Sequence, residues 1–233
     1  DRLIEPQTLY SEWINMLLQR DNQDYSFTRG IAGQGMAYWL CHDFVSPNQV
    51  TDRLRQYVTY LMHHQKNDGS WIHKVIETHN KVKKRQGFAT GVAGIVYFLI
   101  EYAHRYNYDA AMIAAQRGLQ WLMKRSERKG QAIKWRTDKN KELMHWWCEG
   151  TSGIALAFIK AYAILGDPIY RQFATGALLN HSPEVLDNNL SQFEGLSGLG
   201  EIYLEAFRVF NDVQWQERAD WIAQVLMHLK KSH

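Results

Sequence analysis

The stretch Met144-His-Trp-Trp-Cys-Glu-Gly150 brings an imidazole, a thiol and a carboxylate together just ahead of a Gly-x-x-Gly turn. Three chemistries are open to it. As a thiolate, Cys148 would act as a nucleophile or a metal ligand, since the thiolate rather than the thiol does either job. With His145 and the distant Glu194 it would make a Cys-His-Glu set of the N/S/O type that catalytic zinc requires. Without a metal, His145, Glu149 and Glu194 are the groups able to move protons. Glu149 and Glu194 are also the kind of carboxylate pair that flanks a glycosidic bond in a carbohydrate-acting enzyme, though that scheme leaves the Trp-Cys pair without a purpose. Against these stand two plainer readings. A free cysteine behaves as a small hydrophobe, and a glutamate beside a helix N-terminus is stabilised there without any chemistry.

The elements that position these residues repeat along the chain. FTRGIAGQGMAYWL at 27, FATGVAGIVYFLIEY at 88, CEGTSGIALAFIKAY at 148 and FEGLSGLGEIYLEAF at 193 each carry two glycines three apart and then an apolar run. Their first glycines, Gly30, Gly91, Gly150 and Gly195, are 61, 59 and 45 residues apart, a recurrence that reads as a repeat architecture. The runs after the glycines are apolar nearly all round, as a helix buried on most sides must be. A second segment in each repeat is amphipathic: 50–65, 109–125, 167–180 and 213–230. In the second of these, Met112, Ala115, Leu119 and Leu122 recur at helical spacing with Arg117, Lys124 and Arg125 opposite.

The expected fold is therefore all-α: inner and outer helix pairs in an α/α toroid, glycine turns gathered at one mouth. Glycine is expected there to supply positive φ or close approach, and the inner-helix N-termini to offer unpaired N–H groups to an anion. NDGSWIHKV from Asn67 and KGQAIKWRTD from Lys129 read as non-helical, the first as a turn followed by an extended segment.

Composition narrows the partners. Twenty-seven basic against 24 acidic side chains give a net charge of only +3, too little for the phosphate neutralisation that nucleic-acid binding demands. The basic run HNKVKKRQ, residues 79–86, reads as a solvated loop that could attract an acidic peptide. Cys41 and Cys148 are the only cysteines, which rules out a disulfide framework and suits a reducing cytoplasm. No apolar run is long enough to cross a membrane. The nine Trp and twelve Tyr exceed what a plain helical bundle needs, so some of these rings are candidates for lining a peptide groove.

GFATGVAG (87–94), WCEGTSG (147–153) and FEGLSG (193–198) resemble, in order and spacing, the glycine motifs of the lanthionine synthetase C-like family. Those motifs run approximately Gly-Leu-Ala-His-Gly-x-x-Gly, Trp-Cys-x-Gly-x-x-Gly and Cys-His-Gly-x-x-Gly. The resemblance covers essentially the whole chain, although four repeats make only part of a full toroid of that family. It implies a cytoplasmic cyclase acting on a lanthipeptide precursor: a peptide cysteine adds to dehydroalanine or dehydrobutyrine and closes a thioether ring. In the zinc-type members, Cys148 and the Cys-His positions occupied here by Phe193 and Glu194 would hold the metal, and Thr90 stands where the family has an acid/base histidine. Two of three ligands being replaced, no zinc or other cofactor is expected. The resemblance leaves His145, Cys148, Glu149 and Glu194 as candidate catalytic residues, and Arg29, Thr90, Trp147 and Phe193 as candidate substrate-binding residues. Zinc-ligand loss is also a feature of the cyclase domains of class III synthetases, where kinase and lyase domains share the chain. The start at Asp1 fits residues 1–233 as one domain of such a longer protein; the retained Trp-Cys and the short length depart from that sub-class. A non-catalytic, peptide-binding or scaffolding toroid remains the alternative of a different kind.

Overall fold

The computed structural model describes Glu12, Met16 and residues 22–40, 47–74, 82–83, 85–137 and 139–231; Cys41 lies outside them. Each apolar run forms an inner helix: α1 (Ile31–Leu40), α3 (Val92–Tyr106), α5 (Thr151–Leu165) and α7 (Leu196–Phe210). Each amphipathic segment forms the outer helix that follows: α2 (Pro47–His64), α4 (Asp109–Lys124), α6 (Pro168–Leu178) and α8 (Val213–Lys231). Outer helices pack on their own inner partners, and the inner helices pack on one another in chain order, α1 on α3, α3 on α5, α5 on α7. The result is an arc of helical hairpins with one core, in which Ile95, Leu99, Ile154, Phe158, Leu199 and Tyr203 are essentially sealed from solvent.

Turn chemistry makes the hairpins. α3 and α7 stop at Asn107 and Asn211, and α5 at Gly166, all in the left-handed conformation that Gly and Asn adopt at least cost. The aspartate that follows Gly166 opens the outer helix: Asp167 caps α6 by accepting from the Ile169 N–H at 2.9 Å. Asp212 accepts in the same way from Gln214 ahead of α8.

Two short hairpins interrupt the helices. β1 (His73–Lys74) pairs antiparallel with β2 (Val82–Lys83), and β3 (Ser126–Lys129) with β4 (Ala132–Trp135). The second hairpin packs on α6. The basic run is thus not all loop, since its Val82 and Lys83 are strand; residues 79–81 and 84 lie outside the described set. Most of the surplus tryptophan proves to be core. Trp71, Trp135 and Trp215 are fully buried, and two of them tie elements together through the indole N–H, Trp71 to the Leu61 carbonyl and Trp135 to that of Leu122, both at 2.8 Å.

Candidate functional site

The four glycine turns meet because their backbones bond to one another. The N–H of Thr28 donates to the Ala89 carbonyl at 3.0 Å, that of Ala89 to Cys148 at 2.7 Å, and that of Cys148 to Phe193 at 3.2 Å. These four residues occupy the same place in their repeats, two before the first glycine. The rings of Phe27, Phe88 and Trp147, each three before its glycine, and of the ladder residue Phe193 form a continuous row, with successive centroids 4.6, 5.2 and 5.7 Å apart. Register then dictates what stands beside the ladder. The residue just before the first glycine is Arg29, Thr90, Glu149 or Glu194 in successive repeats, so four of the candidate residues form one row.

The glycines serve this ladder by having no side chain rather than by turning left-handed, which corrects the expectation of positive φ. Gly91, Gly150 and Gly195 have φ of −122°, −107° and −152°, open to any residue. A Cβ on the first glycine of each turn, however, would sit 2.2 to 2.7 Å from the carbonyl oxygen six residues back. The inner-helix ends are also less available to anions than expected. Ile31, Val92, Thr151 and Leu196 each donate their N–H to the carbonyl seven residues back, at 2.9 to 3.0 Å. The carboxylates of Glu149 and Glu194, beside these turns, accept from Thr90 Oγ1 and Cys148 Sγ.

Glu149 is half-buried. Thr90 Oγ1 donates to its Oε1, and Arg85 Nη1 donates in turn to Thr90 Oγ1 at 2.9 Å. Burial raises the pKa of Glu149, and this outweighs the bond from Thr90 and the nearby charges of Arg85 and Arg29, which all act to lower it. The carboxyl is therefore one that holds its proton longer than an exposed glutamate would.

Cys148 is buried and its Sγ donates to Glu194 Oε1 at 3.6 Å. Burial first, and then the charges of Glu194 and Glu149, push the thiol up to about 11, so it is a protonated donor rather than a thiolate. Glu194 is exposed, as is Phe193 beside it, which stacks against the half-buried Trp147. His145 stands apart from this pair, its ring 4.6 Å from that of His181; partial desolvation lowers its pKa. Among the described residues no group of three His, Cys, Asp or Glu is placed to hold a metal ion. A buried, hydrogen-bonded thiol with a single carboxylate partner is not the three-ligand set that a catalytic zinc requires: Glu194 is brought to Cys148, and His145 does not complete the set among the described residues.

Sequence reasoning missed Arg85 and His181. Arg85 was hidden in the basic run, and its signal was position, six residues before Gly91, where every repeat places the carbonyl beneath the turn. His181 follows α6; it is 5% exposed, its Nε2 is 2.9 Å from Ser152 Oγ on α5, and its carbonyl accepts from Arg218 at 3.0 Å. Burial, with His145 and Arg218 nearby, pushes its pKa down to about 3. Between that value and the ordinary 6.5 the unfolded chain binds a proton that the folded chain refuses. The stability it contributes is thus complete above pH 6.5 and lost as pH falls toward 3, by up to about 1.4 kcal/mol per unit. Urea unfolding across that range should show a shallower acid loss in His181→Gln than in the parent chain. Equal slopes would mean that the folded protein accepts the proton.

A family model described as lanthionine synthetase C-like protein matches residues 4–232. Among solved structures, nisin cyclase superposes with a TM-score of 0.69 at 20% identity, over 90% of this chain and 59% of its own. The fold is thus that of the helical toroid, and the chain spans less than two thirds of that cyclase.

Proposed function

The chain belongs to the lanthionine synthetase C-like family, and from that premise we propose that it promotes addition of a peptide cysteine thiol to dehydroalanine or dehydrobutyrine in a precursor peptide, without zinc. One observation carries the reading: the row beside the backbone ladder sets two carboxyl groups in contrasting surroundings around Cys148. A buried carboxyl held toward its protonated form beside an exposed carboxyl is a usual basis of an acid/base assignment. Glu149, held toward its protonated form, is the acid that gives a proton to the α-carbon after addition. Glu194, exposed and already accepting the Cys148 S–H, is the base that takes the proton of the substrate thiol. Cys148 orients Glu194 and stays protonated. The rings of Trp147 and Phe193 offer an apolar surface for the peptide, and Arg29 and Thr90 continue the row in which it lies. Kinase and lyase domains that would dehydrate the peptide are the expected chemical source of such a substrate.

Ring closure leaves the peptide mass unchanged but removes a thiol, so the test is alkylation. A dehydrated peptide with a single cysteine, incubated with the full chain, should lose its reactivity toward a maleimide, and EDTA should leave that rate unchanged. Metal analysis should find far less than one zinc per chain in both the parent and Cys148→Ala. Stoichiometric zinc lost in that variant would overturn the metal-free reading. Tight peptide binding with the thiol intact would leave a scaffold.

A further inference from the structure

Arg85 is bonded to the Thr90–Glu149 pair, Arg29 takes the place next to Thr90 in the row because Thr28 bonds to Ala89, and the acid/base scheme gives neither guanidinium a task. Arg85 is half-buried and anchored beneath the turn, because its carbonyl accepts the Val92 N–H at 3.0 Å. Of its side-chain donors, Nη1 is spent on Thr90 Oγ1; a guanidinium carries five N–H groups. Arg29 is exposed, in the first place of the row. Its backbone is fixed by Asn22 Nδ2, which donates to the Arg29 carbonyl at 2.7 Å, and by Ser26 Oγ, which accepts its N–H at 3.3 Å. Among the described residues its guanidinium makes no hydrogen bond or ion pair. Both arginines act electrostatically on Glu149. Two permanent positive charges thus act on one carboxyl that is at most singly negative, with the Asp24 carboxylate in the same turn as Arg29. A neutral peptide gains little from those charges. A reaction that develops negative charge beside Glu149 gains a great deal, since donors fixed in advance in a partly desolvated site strengthen as charge appears.

Thiol addition is such a reaction. The sulfur bonds to the β-carbon while its proton passes to Glu194. The carbon–carbon π bond breaks, and its electron pair moves through the α-carbon onto the carbonyl oxygen as an enolate. Protonation of the α-carbon by Glu149 then restores the carbonyl, so that in sum S–H has added across the double bond. The negative oxygen forms two bonds from the carbon that Glu149 must reach, which is the neighbourhood of the two guanidinium groups. Resting on the cyclase reading, we propose that Arg85 and Arg29 hold the carbonyl oxygen of the dehydroamino acid and stabilise the enolate formed on it, a catalytic role for both.

The experiment follows thiol loss from a peptide with one dehydroalanine and one cysteine, using the full chain and its Arg85→Gln, Arg85→Lys and Arg29→Gln variants, with melting temperatures alongside. Arg85→Gln should lower kcat about 100-fold, the scale for losing one preorganised donor, with KM little changed. Arg85→Lys should recover part of the loss by keeping the charge, and Arg29→Gln, at an exposed position, should fold normally and lose kcat less steeply. A rise in KM with kcat kept would show uniform substrate binding and overturn the enolate role. Equal losses in Gln and Lys variants, with lowered melting temperatures, would make Arg85 a structural brace and overturn it too. An active parent with unaffected variants would remove only the arginine assignment. An inactive parent would remove the cyclase reading and this role together.

Discussion

Glu149→Gln should abolish most of the cyclisation rate, lowering kcat on the order of 10² to 10⁴-fold, the usual worth of a positioned acid or base, with little change in peptide affinity or melting temperature. The substitution is close to isosteric and keeps an oxygen to accept from Thr90 Oγ1, so the turn contacts survive while the transferable proton is lost. The pH profile separates this role from a structural one. An acid works only while protonated, so activity of the parent should fall as pH rises through the raised pKa of Glu149. A base takes the thiol proton, so Glu194→Gln should also lower kcat, while leaving the alkaline limb that Glu149 sets in place. Thr90→Val sharpens the test. The Thr90 bond favours the ionised carboxylate, so its loss should move the alkaline limb to higher pH without removing it. An unmoved limb in Thr90→Val, or full activity in Glu149→Gln, would show that another group supplies the proton.

How much of this was visible beforehand depended on whether local or distant atoms decide. The helix pairs were legible because glycine spacing and 3.6-residue periodicity are local: the 109–125 segment forms α4 (Asp109–Lys124) with Ala115, Leu119 and Leu122 buried, as its apolar stripe required. The row Arg29, Thr90, Glu149, Glu194 was legible too, once the repeats were aligned on their first glycines. Arg85 was not, because a cation six residues before a turn differs from a solvated one only through the tertiary contact that its turn makes. His181 was not either, since nothing in LNHSPEV announces that Ser152 and Arg218 will close over it. The glycine requirement was legible only as positive φ together with close approach, of which the structure uses the second, for a related reason. A sequence shows that only glycine is used, but conformational need and steric need leave the same letter.

That distinction has a large consequence for stability. Gly153→Ala should destabilise the protein by about 3 kcal/mol or more, the upper range for overpacking a close-packed site. A melting-temperature drop of roughly 6 to 12 °C would follow for a chain of this size. The added Cβ would lie 2.0 Å from the Trp147 carbonyl oxygen and 2.7 Å from Phe88 Cβ, and neither neighbour can yield, since both belong to turns held in the ladder by the Ala89 to Cys148 bond. The same pattern recurs at Gly94, against the Phe88 oxygen and Phe27 Cβ. Each second glycine therefore packs its own turn and the aromatic residue of the preceding repeat, so the clash should propagate across the mouth. Gly130→Ala is the contrasting case, with φ of +62° and nothing within 4 Å of an added Cβ, where only the left-handed cost of about 1 to 2 kcal/mol applies. If Gly130→Ala proved the more damaging of the two, backbone conformation rather than close approach would be what glycine provides in this fold. The larger loss at Gly153, with Cys148 reactivity toward alkylating reagents rising as its turn is displaced, would tie the packing of the turn to the protection of the thiol that orients Glu194.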